Sequence, residues 1–255
     1  KFYQDTTLQA LIASVESEYA NVDDLNEQLS LPIHQIDDKT LANFNGDNNL
    51  LLLASLKRNF IQIKQPFFYI WGAKSSGKTH LLRAICNEYQ KMSRTAIYIP
   101  LSQSRHFSPA VLENLEQQAL VCLDDLPSVI GNIEWEVALF DLFNKIYATG
   151  KTLLVISADQ SPTSLHAKLP DLVSRLKWGE VYQLLPLNEQ QKIDVLQQNA
   201  YQRGIELPKE TAVFLLKRLN RDMQTLFQAL DKLDKASLQA QRKLTIPFVK
   251  EMLHL

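Results

Sequence analysis

The chain has only two cysteines in 255 residues, Cys86 and Cys122, and both sit in apolar settings. Two thiols build neither a disulfide framework nor a cysteine metal site, so they read as buried and reduced. A surplus of either charge is also missing. With 27 Lys/Arg against 28 Asp/Glu the formal charge is −1, which excludes the broad basic footprint of a dedicated DNA-binding domain. Residues 201–255 carry ten basic against six acidic side chains, a mild excess that reads as a solvated helical face. No apolar run approaches the roughly 20 residues needed to cross a bilayer, and no signal-peptide pattern opens the chain. A cytoplasmic protein with no membrane partner is expected. The five histidines, His80 and His106 among them, show no metal-ligand spacing, and there is no internal repeat or low-complexity tract.

What is present centres on the octapeptide Gly72-Ala73-Lys74-Ser75-Ser76-Gly77-Lys78-Thr79, which fits the phosphate-binding pattern GxxxxGK[ST] at every fixed position. Upstream, Pro66 to Trp71 is a short aromatic-rich apolar run that reads as a buried strand. Downstream, His80 to Cys86 has helical apolar spacing, completing the strand, loop, helix order the motif requires. Gly72 and Gly77 allow backbone angles that turn successive N–H groups toward phosphate oxygens. The helix beginning near Gly77 aims its positive end at the same anion. Lys78 is suited to the outer phosphates and the Thr79 hydroxyl to Mg²⁺, while Lys74 occupies a variable position as a loop charge.

Such a loop needs an acid at the end of a second strand, and Ala119 to Leu123 followed by Asp124-Asp125 supplies it. Asp124 is the candidate Mg²⁺-side acid and Asp125 the candidate residue near the attacking water. Seen alone, the pair would equally suit a solvated turn. A third apolar strand, Thr152 to Ser157, leads to Ala158-Asp159, where a polar residue could sense a γ-phosphate. Leu169 to Leu176 holds a single arginine, Arg175, in an apolar setting, a pattern that also fits an ion-paired arginine.

The chain divides into three parts. Residues 1–37 form an acidic extension, with six Asp/Glu in the first 27 residues and an amphipathic spacing of Leu8, Leu11, Ile12, Val15, Tyr19 and Val22. Residues 38–184 alternate strands and helices, predicting an α/β domain with a parallel sheet covered on both faces. Residues 185–255 become purely helical, with helices expected over 188–203, 209–219, 222–239 and 246–255.

These stretches resemble the AAA+ ATPases of the DnaA replication-initiator family, most closely its short Hda branch. The resemblance runs over GAKSSGKTHLL, LVCLDD, LPDLVSRLKWG, LLKRLNRDMQTLFQALDKLD and QRKLTIPFVKEMLHL. The resemblance implies an AAA+ P-loop core followed by a small all-α lid, with nucleotide between them. It maps the base contacts onto Phe44, Asn49 and Pro186, the first sensor onto Asp159, and the trans-acting arginine finger onto Arg175. His80, immediately after the loop, joins the nucleotide set. The lid arginine of most relatives corresponds to Gln224, and Arg221 is one turn away. ADP, or another nucleoside diphosphate, with Mg²⁺ is the implied cofactor. No helix-turn-helix follows the lid helices, so the initiator's DNA-binding domain is expected to be absent. Gln28-Leu29-Ser30-Leu31-Pro32 resembles the short peptide with which this branch docks on the β sliding clamp. A glutamine amide, two leucines and an extended proline segment suit a groove of that kind.

The implied activity is stimulated hydrolysis of DnaA-bound ATP, with DNA reached indirectly through the clamp and self-association open. Two other readings stand beside it: an independently active AAA+ ATPase or helicase loader, and a clamp-binding adaptor that nucleotide merely locks.

Overall fold

The computed structural model describes residues 39–41, 44 and 47–255. The amphipathic stretch of residues 8–22 and the Gln28–Pro32 peptide lie outside the described residues. Five parallel strands form the sheet: β1 (Phe67–Trp71), β2 (Ala96–Pro100), β3 (Leu120–Asp124), β4 (Leu153–Ala158) and β5 (Glu180–Gln183). Their spatial order is β2-β3-β4-β1-β5. The predicted strands beginning at Pro66, Ala119 and Thr152 each start one residue later than expected. β1, β3 and β4 are buried almost throughout, which is why they read as unbroken apolar runs rather than as alternating ones.

Alternation along β1 builds two cores. Phe67 and Tyr69 face one layer while Phe68 and Ile70 face the other. The first layer is filled by α3 (Ile133–Thr149), whose Trp135, Leu139, Leu142, Phe143 and Ile146 are buried against the sheet. Asn132 caps its start by accepting the Glu134 N–H, and Gly150 ends it in the left-handed conformation. The opposite layer holds α1 (Leu50–Ile61) and α2 (Lys78–Lys91), the latter through Leu81, Leu82, Ile85 and Tyr89. Each of these large side chains contributes roughly 1.5–3 kcal/mol by leaving water. The short helix α4 (Pro170–Leu176) buries Leu172 and Leu176 in the first layer.

Four helices follow the sheet: α5 (Glu189–Gln202), α6 (Lys209–Arg218), α7 (Met223–Ala240) and α8 (Ile246–Leu253). Their ends lie within two residues of the sequence expectation, because the stop and start signals are local. Asn188 and Gln191 form a reciprocal capping box on α5, and Asp222 caps α7 through the Thr225 N–H. The Thr225 N–H and hydroxyl, both donating to it, hold the Asp222 carboxyl below its usual range. The helices enclose a third core around Leu196, Leu215, Leu230 and Phe248.

Candidate functional site

Parallel pairing brings the ends of several strands to one edge of the sheet. Trp71 pairs with Ala158, and Leu123 with Ile156, so the loop after β1, the acids after β3 and the tail of β4 open together. The loop is anchored there by the Gly72 N–H, which donates to the Ala158 carbonyl at 3.2 Å.

The loop fits an anion. Gly77 caps α2 with φ +101°, and Ser75 is also left-handed at φ +62°. A Cβ on Gly72 would stand 2.6 Å from the Leu184 carbonyl oxygen, so this turn requires glycine. Ser76 is buried and its Oγ has no hydrogen-bond partner among the described residues. An orphaned hydroxyl beside a helix N-terminus, whose first N–H groups lack intrahelical acceptors, suits a phosphate. Lys78 Nζ donates to the carbonyls of Gly72 and Ala73 at 2.7 and 2.9 Å, which folds the lysine back over the loop. Burial pulls its pKa below the usual value, while Asp124, Asp159 and Asp125 hold it up. The structure therefore brings all three predicted carboxylates around Lys78. Ala73, Lys74 and Asp159 are exposed.

Asp124 is buried at the centre of a hydroxyl network. Oδ2 accepts Thr79 Oγ1 at 2.7 Å and Tyr98 Oη at 2.6 Å, and Oδ1 accepts the Ser157 hydroxyl. Ser157 Oγ also accepts the Asp125 N–H at 2.9 Å. The Thr79 hydroxyl beside a carboxylate is an oxygen donor set suited to Mg²⁺, and no cluster of three or more His, Cys, Asp or Glu competes for a metal among the described residues. No motif in the sequence marks Tyr98 or Ser157. Only strand pairing, which sets β2 and β4 on either side of β3, could have shown their convergence. Burial raises the Tyr98 pKa, and Asp124 raises it further. Asp125 takes a left-handed turn at φ +66° and accepts the Ser128 hydroxyl at 2.6 Å.

The expected base contacts gather beside the loop. Phe44 meets His80 edge-on at 5.5 Å between centroids, and its Cε2 lies 3.4 Å from a Cβ built on Gly77. His80 Nε2 is 3.3 Å from the Thr40 carbonyl oxygen. Asn49 is buried: its amide donates to the Leu185 carbonyl at 3.1 Å and accepts the Leu185 N–H at 2.9 Å. Asn48, which no sequence motif marks, donates to the Pro186 carbonyl and to Gln191 Oε1. Two adjacent asparagines thus tie the segment entering the helical domain to the start of α1.

Gln224 is exposed in the first turn of α7. Arg221, one turn away, pairs with Glu189 at 2.8 Å, so its charge is directed along the helical domain. Among the described residues Arg175 is not the ion-paired arginine that its apolar setting would also suit. It is half-buried, with its guanidinium carbon 3.6 Å from the Trp178 ring centroid, and no carboxylate pairs with it among the described residues.

The sequence model of the bacterial DnaA ATPase domain matches residues 46–183, and that of the Hda lid domain matches residues 189–253. An uncharacterized protein of Haemophilus influenzae is 71% identical over 231 residues, covering 91% of this chain and 100% of that protein. Among solved structures, domain III of Thermotoga maritima DnaA superposes with a TM-score of 0.71 at 24% identity, covering 86% of this chain and 96% of that one. DnaA bound to AMPPCP and single-stranded DNA gives 0.64 at 23% identity, covering 81% and 69%. At these identities the structural likeness is one of fold.

Proposed function

The chain belongs to the DnaA family of AAA+ ATPase domains and carries the lid of the Hda type, and from that premise we propose how this DnaA-related regulator acts. It binds ADP in the loop around Lys78, docks on the DNA-loaded β sliding clamp through Gln28–Pro32, and presents Arg175 to ATP held by DnaA. The bound nucleotide would be cradled by the Gly72–Thr79 loop, bordered by Phe44, His80, Asn49 and Pro186, with Thr79 and Asp124 on its Mg²⁺ side. Mg²⁺ would neutralise phosphate charge there.

One observation carries the proposal. Arg175 stacks on Trp178, and the next residue, Gly179, abuts the Phe67 carbonyl at the beginning of β1, whereas the phosphate loop leaves the end of β1. Five strand residues at roughly 3.3 Å each separate these ends by about 16 Å. An arginine stacked on that segment lies toward the opposite end of β1 from its own Gly72–Thr79 loop. Among the described residues no acceptor takes its N–H groups, which supports a role toward a nucleotide on another molecule. A guanidinium delivered in trans to a transferring phosphoryl group is worth on the order of 10³ to 10⁵ in rate.

The chemistry assigned to this chain is therefore electrostatic. Arg175 would stabilise charge on the partner's phosphoryl oxygens, and the ADP site would hold core and helical domain together. Phosphate release from ATP-bound DnaA, measured with this protein and clamp on DNA, tests the reading. Stimulation that requires both the clamp and Arg175 is expected. Equal release by this protein without DnaA would establish an independent ATPase instead.

A further inference from the structure

Arg175 sits in an aromatic setting that neither motif nor spacing anticipated. Its guanidinium carbon is 3.6 Å from the Trp178 ring centroid and 5.3 Å from that of Phe140 on α3. Trp178 is itself braced by Tyr147 of the same helix, with ring centroids 5.3 Å apart and planes inclined by 60°. From behind, Gly179 fixes the indole's place along the sheet. A Cβ there would lie 2.1 Å from the Phe67 carbonyl oxygen, so glycine lets this backbone approach β1 closely.

The indole is 46% exposed and Tyr147 65% exposed, so these rings are not core filling. A large aromatic pair left partly in water beside one arginine calls for a local reason. Stacking supplies it. A guanidinium held by its flat face loses water from that face while the N–H fork at its edge remains available. An unstacked arginine samples many rotamers, only a few of which aim the fork at one target.

We infer that Trp178, braced by Tyr147, is a positioning residue that holds the Arg175 fork in the orientation from which it meets the phosphoryl oxygens of a partner-bound nucleotide. The inference rests on the trans role proposed for Arg175. It goes beyond that role by assigning part of the rate to the ring that orients the guanidinium. Phenylalanine retains a π face at this position. Leucine retains apolar bulk but no quadrupole, and alanine retains neither.

The test is single-turnover hydrolysis of DnaA-bound ATP on clamp-loaded DNA, titrated with the full chain carrying Trp178→Phe, Trp178→Leu or Trp178→Ala. Leucine and alanine should lower the maximal rate roughly three- to thirtyfold, whereas phenylalanine stays within roughly twofold of the parent. The half-saturating concentration, ADP affinity and melting temperature of the leucine and phenylalanine variants should match the parent. Leucine performing as well as phenylalanine would overturn the inference, as would a loss confined to the half-saturating concentration, which marks a docking contact. Arg175→Ala in the same titration separates the two levels. If it leaves stimulation intact, the trans role itself fails. If it abolishes stimulation while Trp178→Ala does not lower it, only the positioning role fails.

Discussion

Substituting Gly179 by alanine probes the placement on which the proposed trans role of Arg175 depends. The new Cβ would fall 2.1 Å from the Phe67 carbonyl oxygen and 2.6 Å from both the carbonyl carbon and Cβ of Phe67. Phe67 begins β1, which is held on both sides by β4 and β5, so a backbone must move. Overpacking of this kind costs about 1–3 kcal/mol, and rigid surroundings on both sides place this case near 3 kcal/mol. Alanine also lowers the entropy of the unfolded chain, which returns about 0.4–1 kcal/mol. The clash wins, leaving a net loss of about 2 kcal/mol, or about 4–8 °C in Tm for a chain of this size. Gly204 provides the comparison. It has no atom within 4 Å of a built Cβ, and its φ of +76° exposes alanine only to left-handed strain of about 1–2 kcal/mol. After the same entropic return, Gly204→Ala should lose about 0–1.6 kcal/mol. Thermal unfolding followed by circular dichroism should therefore rank the parent highest, Gly204→Ala next and Gly179→Ala lowest. A Gly179→Ala protein melting at or above Gly204→Ala would refute the close approach to β1, and with it the location of Arg175 at the far end of that strand.

Lys78→Ala should weaken ADP binding by about 1.5–3 kcal/mol, the worth of one charge-assisted hydrogen bond, as read by titration calorimetry. ADP should bind the parent more tightly than ATP, because Gln224 offers no charge to a γ-phosphate and Arg221 is committed to Glu189; a tenfold preference for ATP would contradict this. Tyr98→Phe should cost about 1.5–3 kcal/mol in urea unfolding, since it removes one hydroxyl donor from the buried Asp124 carboxylate; an unchanged midpoint would show that Thr79 and Ser157 suffice. Replacing Gln28 and Leu31 together by alanine should abolish clamp binding in a surface-binding assay while ADP affinity stays at the parent value, and retained clamp binding would point to another docking surface.

Local chemistry made much of this protein legible in its sequence. The Gly72–Thr79 loop is contiguous, so its phosphate-binding pattern could be read in one stretch, and the flanking strand and helix followed from apolar spacing. The helices over 189–253 were equally readable, because Asn188, Pro208 and Asp222 announce their starts locally. β3 and β4 stood out because strands buried on both faces are apolar at every position. Tertiary structure decided what lies between these segments. Strand order set Tyr98 and Ser157 against Asp124, across separations of 26 and 33 residues. Folding also turned Arg221 toward Glu189 and laid Arg175 on Trp178. The physical reason is one of range. Backbone propensity, capping and burial periodicity act within a few residues and leave their marks in the local sequence. A hydroxyl or guanidinium takes whichever partner the packed layers bring within hydrogen-bonding or stacking distance, and that choice exists only once the sheet has formed.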